Sequence, residues 1–282
     1  MSMGVTVWVN GELVDGGQAS LTALDHGLTV GDGGFETCKV VDGVVFGRTR
    51  HLRRLERTLE GLGLTGFDAD HLDEGVEAVL AAGGPMPLGR LRWTVTGGVG
   101  PLGSDRSDTP LTYVVGLVPA SPLPSHAHVA TVPWTRNERA ATAGLKTTSY
   151  AENVIALARA KSQGADEAIF LNTRGELCEG TGSNVFVVRD GVVLTPPLES
   201  GCLAGITRAV TIEWCREAGL EVREETLPAD AMETSDEAFL TNTMRDVQPI
   251  ATVDGRALAT QTPVTDQAAA IFATRSAERM DP

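Results

Sequence analysis

The sequence predicts a two-domain protein of mixed α+β / α/β class. Three observations carry that expectation. Strand-like alternation and helix-like repeats interleave in both halves of the chain. A chain of 282 residues with 42% hydrophobic content can bury a large core, in one domain or two. The run Pro119-Ala-Ser-Pro-Leu-Pro-Ser125 puts three prolines in a short span, which denies both helix and ladder hydrogen bonds. The expected organisation is therefore a small α+β domain at 1–118, a linker at 119–125 and a larger domain at 126–282.

Val5 to Val9 alternates like a strand, and Asn10-Gly11 is a hairpin turn. Phe35 to Val41 is a strand that Asp42-Gly43 turns into Val44-Val45-Phe46. His51 to Leu62 carries Leu52, Leu55, Leu59 and Leu62 at helical spacing, and Leu72 to Ala82 reads as a second helix. Leu91–Thr96 and Leu111–Leu117 read as strands. Beyond the linker, Ala127–Val132 is a strand and Tyr150–Ser162 a helix. Ala168–Leu171 is a strand, closed by a turn at Thr173-Arg-Gly175. Asn184–Val188 and Val192–Leu194 form a hairpin about Asp190-Gly191. Thr207–Ala218 is a helix closed by Gly219. Strands at Glu237–Thr241 and Val247–Val253 precede a last helix from about Thr265 to Glu278.

The formal charge is -14, from 37 acidic and 23 basic residues. Such a chain repels phosphate backbones, so nucleic acid is not an expected partner. No apolar run is long enough to span a bilayer, and no export signal is visible, so a cytoplasmic protein is expected. Cys38, Cys178, Cys202 and Cys215 have neither metal-ligand nor redox-motif spacing and read as reduced, buried apolar filler. Two G-x-G-x-x-G matches fail their context. Gly61-Leu-Gly63-Leu-Thr-Gly66 ends a helix, and Gly98-Val-Gly100-Pro-Leu-Gly103 opens a polar loop that can lie over a site. His126-Ala-His128 lacks a third ligand, so no metal is expected.

Chemistry concentrates in the second half. Lys146 stands in Gly144-Leu-Lys-Thr-Thr-Ser-Tyr150, and Glu179 follows in Glu179-Gly-Thr-Gly-Ser-Asn184. A lysine amine can form a Schiff base with an aldehyde cofactor, and a carboxylate can hold that cofactor's ring nitrogen protonated. Pyridoxal 5'-phosphate (PLP) chemistry asks a protein for these two groups. Gly205-Ile-Thr-Arg208 is a glycine-led helix start suited to a phosphate. In isolation, Lys146 would read as a surface lysine and Glu179 as a turn residue; their order and company set them apart.

Further segments extend the pattern: Trp8-Val-Asn-Gly-Glu12, Asp25-His-Gly-Leu28, Gly31-Asp-Gly-Gly-Phe-Glu36, His51-Leu-Arg-Arg-Leu55, Gly164-Ala-Asp-Glu-Ala168, Thr195-Pro-Pro197 and Leu203-Ala-Gly-Ile-Thr-Arg208. Over nearly its whole length the chain resembles the class IV aminotransferases, the fold type IV PLP enzymes. These include branched-chain aminotransferases, D-amino-acid transaminases and aminodeoxychorismate lyases. The resemblance implies a larger domain built on a mixed, barrel-like sheet with helices, and at least a homodimer. It implies that Lys146 carries the cofactor and moves protons, and that Glu179 meets the pyridine nitrogen. Arg54, Ile206, Thr207 and Thr243 would contact the phosphate, and Tyr150, one helical turn past Lys146, the ring oxygen. Phe35, Arg92 and Arg245 are candidate substrate contacts, with Arg106 a further basic side chain for an anion. Arg245 is the favoured anion ligand among Arg92, Arg106 and Arg245.

The member is read from fewer residues. Thr96-Gly-Gly-Val-Gly100 lacks the arginine of D-amino-acid transaminases, and its absence also weakens the lyase match. Arg92 aligns with an arginine of branched-chain members. Val30 stands where those members carry tyrosine, and Gly31-Asp-Gly-Gly34 and the short Lys146-to-Tyr150 spacing resemble the lyase and D-amino-acid branch. The leading expectation is 4-amino-4-deoxychorismate lyase of folate biosynthesis, which releases pyruvate and 4-aminobenzoate. The alternative is an amino-acid transaminase, branched-chain-like before D-specific, using a 2-keto acid acceptor.

Overall fold

The structure is a computed structural model that describes residues 4–18, 20–258 and 260–282. The chain forms two compact units, one of Met1–Pro122, Leu145–Tyr150 and Asp281, the other of Leu123–Gly144, Ala151–Met280 and Pro282. A single linker at 119–125 does not describe this division. The chain leaves the first unit after Pro122 and comes back to it for six residues.

In the first unit, β1 (Thr6–Val9) and β2 (Glu12–Asp15) form a hairpin about Asn10 and Gly11. Both turn residues have positive φ, as the tight hairpin requires. The short helix α1 (His26–Thr29) is capped by the Asp25 carboxylate and went unread in the sequence, being too brief for a periodic signal. β3 (Gly33–Val41) turns through Asp42-Gly43 into β4 (Val44–Val45). α2 (Arg48–Leu62) starts three residues before the expected His51, in a basic stretch without apolar spacing, and ends at left-handed Gly63. α3 (Ala69–Gly83), β5 (Leu88–Thr96) and β6 (Thr112–Pro119) complete the unit. The six strands lie in the order β2-β1-β6-β5-β3-β4, each pair antiparallel. Leu55 and Leu59 of α2 and Leu72 and Val76 of α3 join Trp8, Leu91, Trp93 and Val115 in one buried cluster. At Gly75 the backbone of α3 approaches the Trp8 indole so closely that an added Cβ would fall 2.6 Å from the ring.

The returning segment decides where Lys146 goes. Phe35 N–H donates to the Lys146 carbonyl at 3.0 Å, and Thr148 N–H donates to the Gly33 carbonyl at 2.8 Å. Thr147 thereby forms an antiparallel bridge with Gly34. Lys146 N–H donates to Thr58 Oγ1 on α2 at 3.2 Å. Residues 146–150 are thus laid out along β3, not wound as the expected helical turn.

The second unit contains β7 (Ala127–Arg136), α4 (Ala151–Ser162), β8 (Glu167–Asn172), β9 (Leu177–Gly180), β10 (Asn184–Arg189) and β11 (Val192–Thr195). α5 (Ile206–Glu217), β12 (Val222–Glu224), β13 (Glu237–Asn242), β14 (Asp246–Val253), β15 (Arg256–Ala257) and α6 (Pro263–Glu278) follow. The strand order is β12-β11-β10-β13-β14-β7-β8-β9, with β15 beside β14. The β11–β12, β14–β7 and β7–β8 pairs are parallel and the others antiparallel, and this mixed sheet curls into a half-barrel. Phe186 and Phe239 stack across β10 and β13 with centroids 4.7 Å apart. Trp214 of α5 meets Phe272 of α6 at 5.4 Å. Among the described residues, no helix is long and apolar enough to cross a membrane.

Because the indole at Gly75 is rigid and buried, Gly75→Val should overpack this seam and destabilise the protein by roughly 1–3 kcal/mol. A urea unfolding midpoint equal to that of the wild type would contradict the packing.

Candidate active site

Four of the residues singled out in the sequence meet in the first unit. The Phe35 ring is buried on β3. Lys146 Nζ lies 4.5 Å from its centroid and the Arg92 guanidinium 3.7 Å. The Tyr150 ring meets Phe35 edge-on, with centroids 5.3 Å apart. Two cations and a phenol therefore share one aromatic residue, a geometry its quadrupole favours. The register supports it: Phe35 pairs with Thr94 on β5, two residues from Arg92.

Beside this group lies a buried ionic cluster that the sequence only partly disclosed. Arg54 is not on the solvated helix face that its basic neighbours imply. It is 6% exposed and pairs with Glu36 through two parallel bonds, Nε to Oε1 and Nη2 to Oε2, both 2.7 Å. His51 Nδ1 lies 2.6 Å from Glu36 Oε2. Glu36 and His51 stand in Gly31-Asp-Gly-Gly-Phe-Glu36 and His51-Leu-Arg-Arg-Leu55. Their residue types in that spacing were the available signal. Burial pushes the Glu36 carboxyl up, yet Arg54 and His51 outweigh it and hold the group far below the usual carboxylate range. For His51, burial outweighs the pull of Glu36 and lowers its proton affinity.

The second unit holds another carboxylate. Glu179 sits on β9, buried, and is not the turn residue that its glycine neighbours imply. Its Oε2 accepts the Leu203 N–H at 2.9 Å, and its Oε1 lies 3.2 Å from Arg136 Nε at the end of β7. Arg136 had not been singled out; it follows Thr135 without any motif of its own.

α5 begins at Ile206 with Gly205 as its cap residue, and no side chain caps its first turn. Ile206 and Thr207 are buried there. Only glycine fits at 205, since an added Cβ would fall 1.9 Å from Asn184 Oδ1. Thr243 lies in the turn between β13 and β14, where Asn242 Oδ1 accepts the N–H groups of Met244 and Arg245.

Two basic side chains considered for anions are engaged by the protein. Arg245 bonds to Gln248, reaches the Asp166 carbonyl at 3.4 Å and lies 3.8 Å from Glu167 Oε2. Arg106 grips Asp32 with two bonds of 2.7 and 2.6 Å. All four cysteines are buried and unbridged, and burial raises the Cys202 and Cys215 thiols to about 11. His128 is turned to Thr252 Oγ1 at 2.9 Å.

The family description "Amino-transferase class IV" fits residues 33–253. The chain belongs to the class IV aminotransferase family. A proposed branched-chain-amino-acid aminotransferase of Methanocaldococcus jannaschii is 33% identical, with 89% of each chain covered. The aminodeoxychorismate lyase of Bacillus subtilis is 31% identical, covering 88% of this chain and 86% of its own. The crystal structure of a branched-chain aminotransferase from Thermoproteus uzoniensis with norvaline superposes with a TM-score of 0.88 at 31% identity, covering 95% of this chain and 93% of that one.

Class IV aminotransferases use PLP, and this member is a PLP-dependent enzyme. The residues present fit that group. Within the first unit a lysine amine sits against an aromatic ring beside a buried arginine. The second unit offers a buried carboxylate and an uncapped helix start whose N–H groups and dipole suit a phosphate.

Removing the Glu36 charge would leave Arg54 buried and uncompensated. Glu36→Gln should cost about 3–5 kcal/mol at neutral pH, read from urea unfolding. The folded Glu36 binds its proton more weakly than the unfolded chain, whose value is near 4.5. The gap between wild type and variant should hold in full above that pH and narrow as acid approaches the folded value. His51, whose proton affinity burial lowers, adds its own decline in wild-type stability as pH falls below the ordinary value of 6.5. Equal stability of the two proteins at pH 7 would contradict the cluster.

Proposed function

We propose that this enzyme transfers an amino group from an α-amino acid to a 2-keto acid. The observation that carries the reading is the shared Phe35 ring, with the Lys146 amine on it at 4.5 Å and the Arg92 guanidinium at 3.7 Å. A fixed cation next to the reactive amine suits a substrate that carries a carboxylate. The branched-chain relatives support amino transfer over the lyase expected from sequence. A second reading keeps the lyase. It is favoured by Val30 and Gly31 at the head of Gly31-Asp-Gly-Gly34, and by the Bacillus subtilis relative.

PLP, when bound, supplies a sink for the electrons left at the substrate's α carbon. Lys146 would attach the cofactor and, once released, carry a proton to and from that carbon. Glu179 would keep the ring nitrogen's proton in place. Arg54, the N–H groups of Ile206 and Thr207, and Thr243 would hold the phosphate, and Tyr150 the ring oxygen. Phe35 would close off water beside the amine, and Arg92 would orient a substrate carboxylate. In this reading the enzyme works in the cytoplasm as at least a homodimer. The exposed Leu24, Leu28, Val99 and Leu102 of the first unit support a covered apolar face.

Two assays on purified protein separate the readings. One supplies L- and D-amino acids with a keto acid and follows new amino acid. The other supplies aminodeoxychorismate and follows pyruvate. Rapid amino transfer without pyruvate release is the expected result; pyruvate release without amino transfer would replace it with the lyase. Lys146→Ala should abolish covalent PLP attachment after borohydride reduction. Label found on another lysine would overturn the assignment.

A further inference from the structure

The Glu179 carboxylate is clamped from two sides within the second unit. Leu203 N–H takes Oε2, and the Arg136 guanidinium lies against Oε1. Arg136 is itself tightly placed. Its Nη1 donates to Glu152 Oε2 at 2.8 Å and to Asn153 Oδ1 at 3.2 Å on α4. Its guanidinium plane covers the buried Phe170 ring of β8 at 4.4 Å. Asn153 then donates to the Thr181 carbonyl at 2.6 Å, in the turn that follows Glu179. β7, α4, β8 and β9 thus all contribute to holding one side chain.

The clamp has an electrostatic consequence. A cation and a backbone donor both favour the ionised carboxylate. Titratable and charged groups around Glu179 include Glu152, reached through Arg136, Arg208, which acts on Cys202, and the Cys178 and Cys202 thiols, both raised first by burial and then by the Glu179 charge. Both thiols are buried and their proton affinity is raised, so they set no negative charge against Glu179, and Arg136 is a cation in direct contact with it. A weakly basic carboxylate leaves the proton on a ring nitrogen that it faces instead of taking it.

We propose that Arg136 is a positioning residue that keeps Glu179 ionised and aimed, and so sets the protonation of the bound cofactor ring. The proposal rests on the reading of Glu179 as the partner of the ring nitrogen. It gives Arg136 a role that an exposed salt bridge would not have, because its partner is buried and its stem is packed.

The test uses holoenzyme with Arg136→Met, Arg136→Lys and Glu152→Gln. The readouts are PLP dissociation, followed by absorbance during dialysis, and the pH midpoint of the visible absorbance of the bound cofactor. Arg136→Met should weaken PLP binding about tenfold and move the midpoint by at least half a pH unit. Arg136→Lys should restore most of the midpoint. Glu152→Gln, which breaks only the outer bond, should leave the midpoint at the wild-type value. A purely structural Arg136 would lower thermal stability in Met and Gln variants alike and leave the midpoint fixed, which overturns the proposal. Should Arg136→Met not fold, a wild-type midpoint in Arg136→Lys together with a shifted one in Glu152→Gln would equally overturn it. Wild-type protein that takes up no PLP at all would defeat the cofactor reading instead, and is told apart by being seen before any variant is made.

Discussion

The placement of Lys146 depends on six residues, Leu145–Tyr150, that return to the first unit and pair with its sheet. Two backbone hydrogen bonds, Phe35 to Lys146 and Thr148 to Gly33, fix the depth and direction of that segment. Because they are backbone bonds, they hold whatever the side chains are. The lysine amine then has one place to go, over the ring that the same strand supplies at Phe35. A lysine on a helix would have several rotamers and open water around it. Here the extended segment limits the search, which is how a scaffold pre-places a reactive side chain.

Both units treat their buried carboxylates alike. Glu36 is gripped by Arg54 through two parallel bonds, and Glu179 is flanked by Arg136 and a backbone N–H. Burying such pairs is costly, and replacing them with apolar residues would often stabilise a protein. Their retention is sensible where a charge has to be present at a fixed spot. In the first unit one guanidinium edge of Arg54 is tied to Glu36, which sets its orientation. In the second the side chain so fixed is Glu179 itself. Preorganised charges of this kind need no rearrangement during a reaction, which is the main reason that they are worth their desolvation.

Much of this was legible in the residues and some was not. The strands and long helices followed from periodicity, since burial on one face repeats at 2 or 3.6 residues. The uncapped start of α5 was marked by Gly205, because only a residue without a side chain fits against Asn184. What stayed hidden depends on distant partners. Arg136 carries no local mark; its meaning comes from Glu179, 43 residues later and two strands away in the sheet. Arg245 looked available until Gln248, Asp166 and Glu167 were seen to surround it. Tyr150 was expected on a helix because Ala151–Ser162 is one, but backbone pairing with β3 overrides propensity just before it. Short elements such as β9 and β12 have too few residues to show a period at all.

The chain's charge of -14 is unfavourable for anions such as a phosphate-bearing cofactor. Screening resolves the conflict. At physiological ionic strength, exposed charges fade over about 8 Å, so the bulk of the acidic surface has little say at a site several shells away. Buried or half-buried cations are screened far less. Arg92 and Lys146 lie within 5 Å of one ring, and Arg54 sits close by with its charge already matched by Glu36. A nearby anion would therefore feel these local cations more strongly than the net charge. Arg106 and Arg245 are paired instead with Asp32 and Glu167. Neutralised in place, they brace the loop and the turn that carry them, while Arg92 stays stacked on the Phe35 ring.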